Sequence, residues 1–405
     1  MLLKLAWRNI WRNRRRTIIS LLALSLGVTA IISIHSFREV VNEEMIENLT
    51  RGLVGHVQVH GLGYQASPEI ANVVPNATAV EDKLIASVPG AHAEKRVLGA
   101  GLAGAGEASS AVMVMGIEPD VPDARQLLAI EKGRALAASP KREVVIGSGL
   151  ARELDVGPGG ELVLVAQAAD GSLANDRFTV VGTADAGSYE ANATAVFLEL
   201  SEAQSFFALD HGVHQIIVRL PLDGEDLRQP VSLMRSALDG DALEVMPWTE
   251  ILPELKSAMD AKRKNQRIID LIVFLIVSLG VLNTMTMSTF ERTREFGVMA
   301  SLGTRRGRIL GMVLLETLLL GAIGFTLGLA LAYAILHGIG TVNLGGLSGG
   351  SDMLGARMPE VLALHVHAPS VIGAAVTTLL TMLAGGLLPA LRASRLKPIE
   401  ATRYV

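Results

Sequence analysis

Glu316 is the residue of this chain whose type and place most directly raise a chemical question. It lies inside an apolar run that starts at Ile309 and continues to about His337, about two turns or roughly 10–12 Å past the start at 1.5 Å per residue. A carboxylate at such a depth in a membrane is costly, so it must face protein or water and find a partner. Proton carriage is one use for it, and a structural or coupling role is another. No second acid stands beside it in the run, which weakens the proton relay. Other reactive groups are sparse. His211 with His214 and His365 with His367 are the close histidine pairs. Metal sites need three or four convergent ligands, so surface or interfacial histidines are expected and no metal site. There is no cysteine, which excludes disulfides, thiolate chemistry and cysteine–zinc sites. No G-x-x-x-x-G-K-[ST] phosphate loop occurs. The glycine run Gly99 to Gly106 lacks the lysine such a loop needs and is expected to be a flexible turn. No catalytic set can be assembled, and no cofactor is expected on these residues.

A second kind of chemistry, recognition, is carried by residues 290–308, F-E-R-T-R-E-F-G-V-M-A-S-L-G-T-R-R-G-R. Phe296, Met299 and Gly303 recur at three- and four-residue spacing, as do Val298 and Leu302. A short helix here therefore has an apolar flank. Glu291, Arg294 and Glu295 fall on or beside its polar side, and Arg305, Arg306 and Arg308 follow its end. Five basic residues in so short a loop place it on the cytoplasmic side of a membrane. Such a helix can fill a groove in a soluble partner, or it can simply anchor the loop at the interface.

The elements that hold these residues are set by hydrophobic patterning. Of 405 residues, 50% are hydrophobic and 19% charged, with positive mean hydropathy. That is too apolar for an ordinary soluble protein and too charged to lie wholly in a bilayer. Segments 1–16, 290–308 and 391–405 hold 15 of the 36 Lys and Arg but 3 of the 40 Asp and Glu. Basic ends and loop inside, acidic bulk outside, is the expected orientation. Nucleic acid is not an expected partner, because the large domain is acidic and the basic residues hug the membrane.

In chain order, residues 1–16 form an amphipathic helix in the headgroup layer, with Lys4, Arg8 and Arg12 on one side and Leu3, Trp7 and Trp11 on another. Thr17 to Phe37 is a first span; no small-residue cleavage site follows it. Phe37, Val41, Met45 and Leu49 continue it outward as a stalk, so that span and stalk cover 17–50. A second stalk and span cover 249–290, with Ile251, Leu255 and Met259 at the same four-residue spacing and Leu271 to Phe290 uncharged. Asp270 stands at its outer margin, expected to be hydrated. Between the stalks, 51–248 alternates strand and helix signals. His56 to His60 reads as a half-buried strand. A β-α-β…β-α-β unit with an insertion at about 120–210 is the expected arrangement, an α+β domain. The cytoplasmic loop is 291–308 and the third span 309–337, where Gly321, Gly324 and Gly328 permit close helix packing. An outer loop covers 338–368, with Asp352, Arg357 and Glu360. The fourth span is 369–391. A basic tail follows at 392–405, with Arg392, Arg395, Lys397 and Arg403.

The phrase Glu291-Arg292-Thr293-Arg294-Glu295-Phe296-Gly297, then Ala300-Ser301-Leu302-Gly303, resembles the coupling helix of the ABC permeases typified by the macrolide exporter MacB, the lipoprotein-releasing pair LolC and LolE, and the division protein FtsX. Serine interrupts the family's Ala-Leu-Gly. The tail L-P-A-L-R-A-S-R-L-K-P-I-E-A-T-R-Y is similar to the family's ending, and Val145-Ile146-Gly147…Leu150-Ala151…Leu154-Asp155-Val156-Gly157 to family members as well. The resemblance covers nearly the whole chain. It implies four spans and an extracytoplasmic "porter" part split by an inserted "sabre" part. It also implies ABC ATPase subunits that bind ATP and Mg in a separate chain, and a second permease copy, identical or not. The chain is then a non-catalytic permease of the bacterial inner membrane. Glu291, Arg294, Glu295, Phe296, Gly297, Val298, Met299, Leu302 and Gly303 would be its ATPase-coupling residues. A similar L-x-E-x-L phrase in the family favours the structural or coupling role for Glu316. The phrase Leu347-Ser348-Gly349-Gly350-Ser351 looks like the ABC ATPase signature, but it falls in the outer loop without Walker motifs and is read as a Gly/Ser loop. Among family branches, domain size and Gly55-His56-Val57-Gln58-Val59-His60 look most like lipoprotein release. That branch implies lipoprotein cargo and a periplasmic carrier. MacB-like efflux with an adaptor, FtsX-like regulation of wall hydrolases and a proton-coupled transporter using Glu316 are the alternatives.

Overall fold

The computed structural model describes residues 2–51, 54–121, 128–139, 141–187, 189–221, 226–343 and 361–395. The 347–351 phrase, Asp352, Arg357, Glu360, Lys397 and Arg403 lie outside them. Two helices open the chain, α1 (Leu2–Arg12) and α2 (Arg14–Arg51). There follow β1 (Val57–Gly61), α3 (Ala77–Ser87), β2 (His92–Ala105), β3 (Ala108–Ile117), β4 (Ala129–Gly133), β5 (Glu143–Gly147), α4 (Ser148–Glu153), β6 (Glu161–Gln167) and β7 (Leu173–Asp185). Then come α5 (Tyr189–Thr194), β8 (Ala195–Glu199), α6 (Leu200–Phe206), β9 (Gln215–Arg219), α7 (Arg228–Ala237), β10 (Leu243–Pro247) and α8 (Trp248–Ile251). Helices α9 (Pro253–Glu291), α10 (Thr293–Ser301) and α11 (Arg306–Ile339), strands β11 (Thr341–Asn343) and β12 (Val361–Ala363), and α12 (Ala368–Ser394) complete the fold. The chain divides into two units, one of Met1–Asn42, Met259–Asn343 and Val361–Val405, the other of Glu43–Ala258 and Leu344–Glu360.

In the second unit, β10-β1-β9-β2 form an antiparallel sheet. Helices α3 and α7 are its crossovers, and they bury Ala77, Val80 and Leu84, and Val231 and Met234. This is the expected β-α-β…β-α-β unit. The change to a second set of strands comes inside β2. His92–Arg96 pairs with β9, whereas Val97–Ala105 pairs with β3. The second set runs β2-β3-β8-β5-β7, and β6 pairs with both β2 and β7, which closes a ring. It is filled by apolar side chains such as Leu162, Leu164, Phe178 and Val180. Strand β3 thus belongs with the inserted strands.

Three expectations are corrected here. Gly99 to Ala105 is strand, not turn, and the turn comes only at Gly106 (φ +59). At two of the glycines other atoms occupy the space of a side chain. A Cβ on Gly99 would lie 2.3 Å from the Phe207 ring, and one on Gly101 2.8 Å from the Val165 carbonyl oxygen. Strand β1, in turn, is buried at all five positions instead of half-buried. It lies between β10 and β9, and two of its polar side chains bond to each other, while His60 Nδ1 is buried without a hydrogen-bond partner among the described residues. His60 Nε2 meets Gln58 Oε1 at 2.9 Å, and Gln58 Nε2 donates to the Val54 carbonyl at 2.6 Å. The Tyr64 ring packs beside both His60 and His214, 5.3 and 5.6 Å away between centroids. His214 is fully buried, contrary to the surface placement expected of it.

Burial lowers the pKa of His60 from 6.5 to about 4, against an opposing pull from Glu244. The folded value lies below the unfolded one, so the unfolded chain takes up a proton first. Stability is therefore complete above 6.5 and lost as pH falls toward 4, by up to about 1.4 kcal/mol per pH unit. The melting temperature of the full chain should drop between neutral and mildly acidic pH. Replacing His60 by Phe should flatten that slope, and an unchanged slope would remove His60 as its source.

Among the described residues, four helices are long and apolar enough to cross a membrane: α2, α9, α11 and α12. Helix α11 is their hub. Gly321 lies against Met382 of α12, Gly324 against Leu24 of α2, and Gly328 against Ser25 and Val28 of α2. Thr29 Oγ1 donates to the Gly328 carbonyl at 3.0 Å. The glycine stripe thus brings helices of this chain together, as small residues do where lipid offers no hydrophobic drive. A Cβ at Gly328 would sit 2.7 Å from the Ser25 carbonyl oxygen. Gly328→Ala should then cost about 1–3 kcal/mol of overpacking, read as a lower unfolding temperature in detergent. Asp270 is not simply hydrated. It accepts from Gln266 Nε2 at 2.7 Å and lies 2.9 Å from His35 Nε2 on α2.

Candidate functional site

Helix α10 is built from the expected stretch, and its end is set by Gly303. That residue takes φ +83, its N–H bonds to the Ala300 carbonyl, and the next N–H, of Thr304, bonds to Met299. This 6→1 and 5→2 pair is the glycine-terminated helix stop. Gly303 is thus a terminator instead of part of an apolar flank.

Of the two apolar rows legible in the sequence, one faces inward. Phe296, 1% exposed, packs in a cluster with Met285 of α9, Ile309, Met312 and Val313 of α11, and Ala390 and Ala393 of α12. Gly297 is buried beside it, and Met299 and Ala300 pack against the same cluster. The other row faces out. Val298 is 46% exposed and Leu302 79%. Glu291, Arg294 and Glu295 are exposed around them, as are Arg305, Arg306 and Arg308.

The charges are ordered. Arg16 pairs with Glu291 at 2.8 Å, and Arg12 of α1 pairs with Glu295. Burial pushes the Glu295 carboxyl up, and the Arg12 and Arg292 hydrogen bonds outweigh it and hold the pKa below the ordinary value. Arg292, immediately before α10, contacts Glu295 Oε2 at 3.1 Å and Glu316 Oε2 at 2.8 Å, with its guanidinium carbon 5.1 Å from the Phe296 ring centroid. Glu316 is 4% exposed. It faces the bundle as expected and has the partner that inspection of its own span could not supply. Arg292 is the residue that pattern reading missed, since its use depends on contact with a helix 24 positions on. Helix α1 buries Ala6 and Ile10 and exposes Leu3, Trp7 and Trp11. Its two indoles lie edge to face, 6.0 Å apart.

Among the described residues, four membrane-length helices, an α+β domain between the first two, and a short helix between the second and third define a multi-pass membrane protein. Residues 17–232 match the MacB-like periplasmic core domain and 267–398 the FtsX-like permease C-terminal region. The chain belongs to the MacB/FtsX-type family of ABC transporter permeases. An uncharacterized ABC transporter permease of Bacillus subtilis (strain 168), YvrN, is 23% identical over 439 aligned positions, covering 99% of each chain. The pyoverdine export ATP-binding/permease protein PvdT of Pseudomonas aeruginosa is 24% identical over 98% of this chain and 57% of its own length. A third relative, the B. subtilis permease YknZ, is 35% identical over 33% of this chain and 29% of its own. The periplasmic region of MacB from Actinobacillus actinomycetemcomitans aligns with 53% of this chain at a TM-score of 0.37 and 14% identity. The domain between the first and second spans is periplasmic or extracellular.

Proposed function

We propose that this permease converts ATP hydrolysis by an ABC ATPase subunit into conformational work outside the membrane. The observation that carries the reading is the outward face of α10. Val298 and Leu302 form an exposed apolar pair amid Arg294, Arg305 and Arg306, on a helix whose other side is sunk in the bundle. A helix anchored on one face and open on the other suits docking into a groove. The basic loop supports placing this face, and both termini, in the cytoplasm. Of the coupling residues, Val298, Leu302 and Arg294 meet the ATPase, while Phe296, Gly297 and Met299 fix the helix to the spans. Helix α2, 38 residues or about 57 Å, exceeds the ~30 Å hydrocarbon core. The same holds for α9, and the excess length of both suits the expected stalks. A second permease copy completes the assembly in the bacterial inner membrane, with lipid around it and ATP and Mg held by the ATPase.

Cargo has two readings. Lipoprotein extraction with handover to a carrier rests on the domain size and the 55–60 phrase. Efflux of a small molecule or peptide through an adaptor draws on relatives named for pyoverdine and macrolide export. The pairing of Glu316 with Arg292 removes the motive for a proton-carrier role. Proteoliposomes holding the permease and its ATPase decide between the cargoes. ATP-dependent release of a lipidated protein into solution supports extraction. Release of none, together with ATP stimulation by small amphiphiles, supports efflux.

A further inference from the structure

We propose that Arg12, Arg292 and Glu316 are positioning residues that lock helix α10 to α11 and α1. The inference rests on the coupling reading of α10 and adds the device that holds it.

Arg292 is oddly chosen for its place. It stands at the N-terminal cap of α10, with φ −109°, ψ 11° and no capping hydrogen bond from its side chain. Caps favour Ser, Thr, Asp or Asn, and a positive charge there opposes the helix dipole. Local helix physics therefore does not explain this arginine. Its contacts do. One guanidinium nitrogen reaches Glu316 on α11, another reaches Glu295 in the first turn of α10, and the plane lies by Phe296. Glu295 uses its other oxygen for Arg12 of α1. The result is an alternating chain, Arg12–Glu295–Arg292–Glu316, that crosses three helices with no net charge.

The inner pair is conditional. A lone carboxylate at the depth of Glu316 and a lone guanidinium as buried as Arg292 are each strongly disfavoured. Either group therefore requires the other in place, and α10 cannot leave α11 without exposing both costs. Helix α11 is also the helix packed through Gly321, Gly324 and Gly328 on α12 and α2. Displacement of α10 is thus passed to the hub of the bundle through this pair, and α1 acts as a strap from outside. Helix α1 packs on α11 with Ala6 and Ile10 buried, and Arg16 ties Glu291 in the same direction.

The cysteine-free chain allows two spin labels, at Val298→Cys on α10 and Leu327→Cys on α11, both at exposed positions. Measured on the full permease in nanodiscs, the interlabel distance distribution should broaden in Glu316→Gln. It should narrow again when all four charges are reversed together, Arg12→Glu, Glu295→Arg, Arg292→Glu and Glu316→Arg, so that every neighbour keeps the opposite sign, a rescue that generic damage to the bundle does not produce. Should these buried variants fail to fold, the exposed link gives the same readout. Arg12→Glu should broaden the distribution, and Arg12→Lys, which keeps the charge beside Glu295, should leave it as in the parent. Distributions that superimpose on the parent for Glu316→Gln and Arg12→Glu overturn the proposal, as does a folded four-charge reversal that restores nothing. The ATPase takes no part in this measurement. Loss of ATPase contact at Leu302 would sink the coupling reading alone, and an insensitive distribution would sink the lock alone.

Discussion

Leu302→Glu is expected to weaken ATPase binding by at least about 30-fold while leaving the fold intact. Leu302 is 79% exposed and Val298 46%, and neither belongs to the buried cluster around Phe296. Surface changes of this kind usually stay within about 0.5 kcal/mol in stability. A central apolar anchor in an interface, by contrast, is worth about 2 kcal/mol or more, which is the factor given above. The carboxylate would also be carried unpaired into the partner's groove. Phe296→Ala should behave in the opposite way. Its ring is buried among Met285, Met312 and Val313, so the loss falls on stability, at about 3–5 kcal/mol. Binding titrations and thermal melts on both variants separate the two faces. Equal effects of the two substitutions on both measurements would contradict the division of α10 into an anchored and a docking side.

Glu94→Leu is the second large effect. Glu94 is fully buried on β2, with Arg96 Nε on one oxygen and an Arg219 nitrogen at 2.7 Å on the other. The substitution leaves two buried guanidiniums without this carboxylate, a loss of about 3–5 kcal/mol. At about 2–4 °C per kcal/mol for a domain near 200 residues, the melting temperature should fall by roughly 6–20 °C. Burial pushes the Glu94 pKa up, but Arg96 and Arg219 more than reverse this, so the folded value lies below the ordinary one. Its stabilisation is present above the unfolded pKa and lost only as pH falls through the lower folded value. The acid sensitivity expected above pH 4 therefore belongs to His60, with His214, whose pKa burial also lowers, adding to it, and a Glu94 variant should keep it. A melting temperature unchanged by Glu94→Leu would show that the triad is not a net support of the sheet.

The four spans and the short helix were legible because composition alone specifies them. Uncharged runs of about 20 residues have few other uses. Which row of α10 faces the bundle was not legible. Phe296 with Met299, and Val298 with Leu302, are equally good stripes, and only the packing of α9, α11 and α12 chooses between them. The Arg292–Glu316 pair was hidden for a related reason. Glu316 alone reads as an unpartnered acid, and its base belongs to another helix. The glycine run at 99–105 misled because glycine signals a turn unless one knows that Phe207 and Val165 occupy the space above the strand. Alternation in β1 misled because Gln58 and His60 bond to each other inside the protein. The passage from one set of strands to the next at Val97 left no mark, since no turn residue is needed where a single strand changes partners.

The most direct measurement is cross-linking from position 302 in the assembled transporter. A photoreactive maleimide on Leu302→Cys should attach to the ATPase subunit in native membranes, in a pattern that changes between the ATP-bound and nucleotide-free states. The same reagent on Leu62→Cys, exposed in the outer domain, should never reach it. Attachment of position 302 only to lipid or to the permease itself in both nucleotide states would contradict the account.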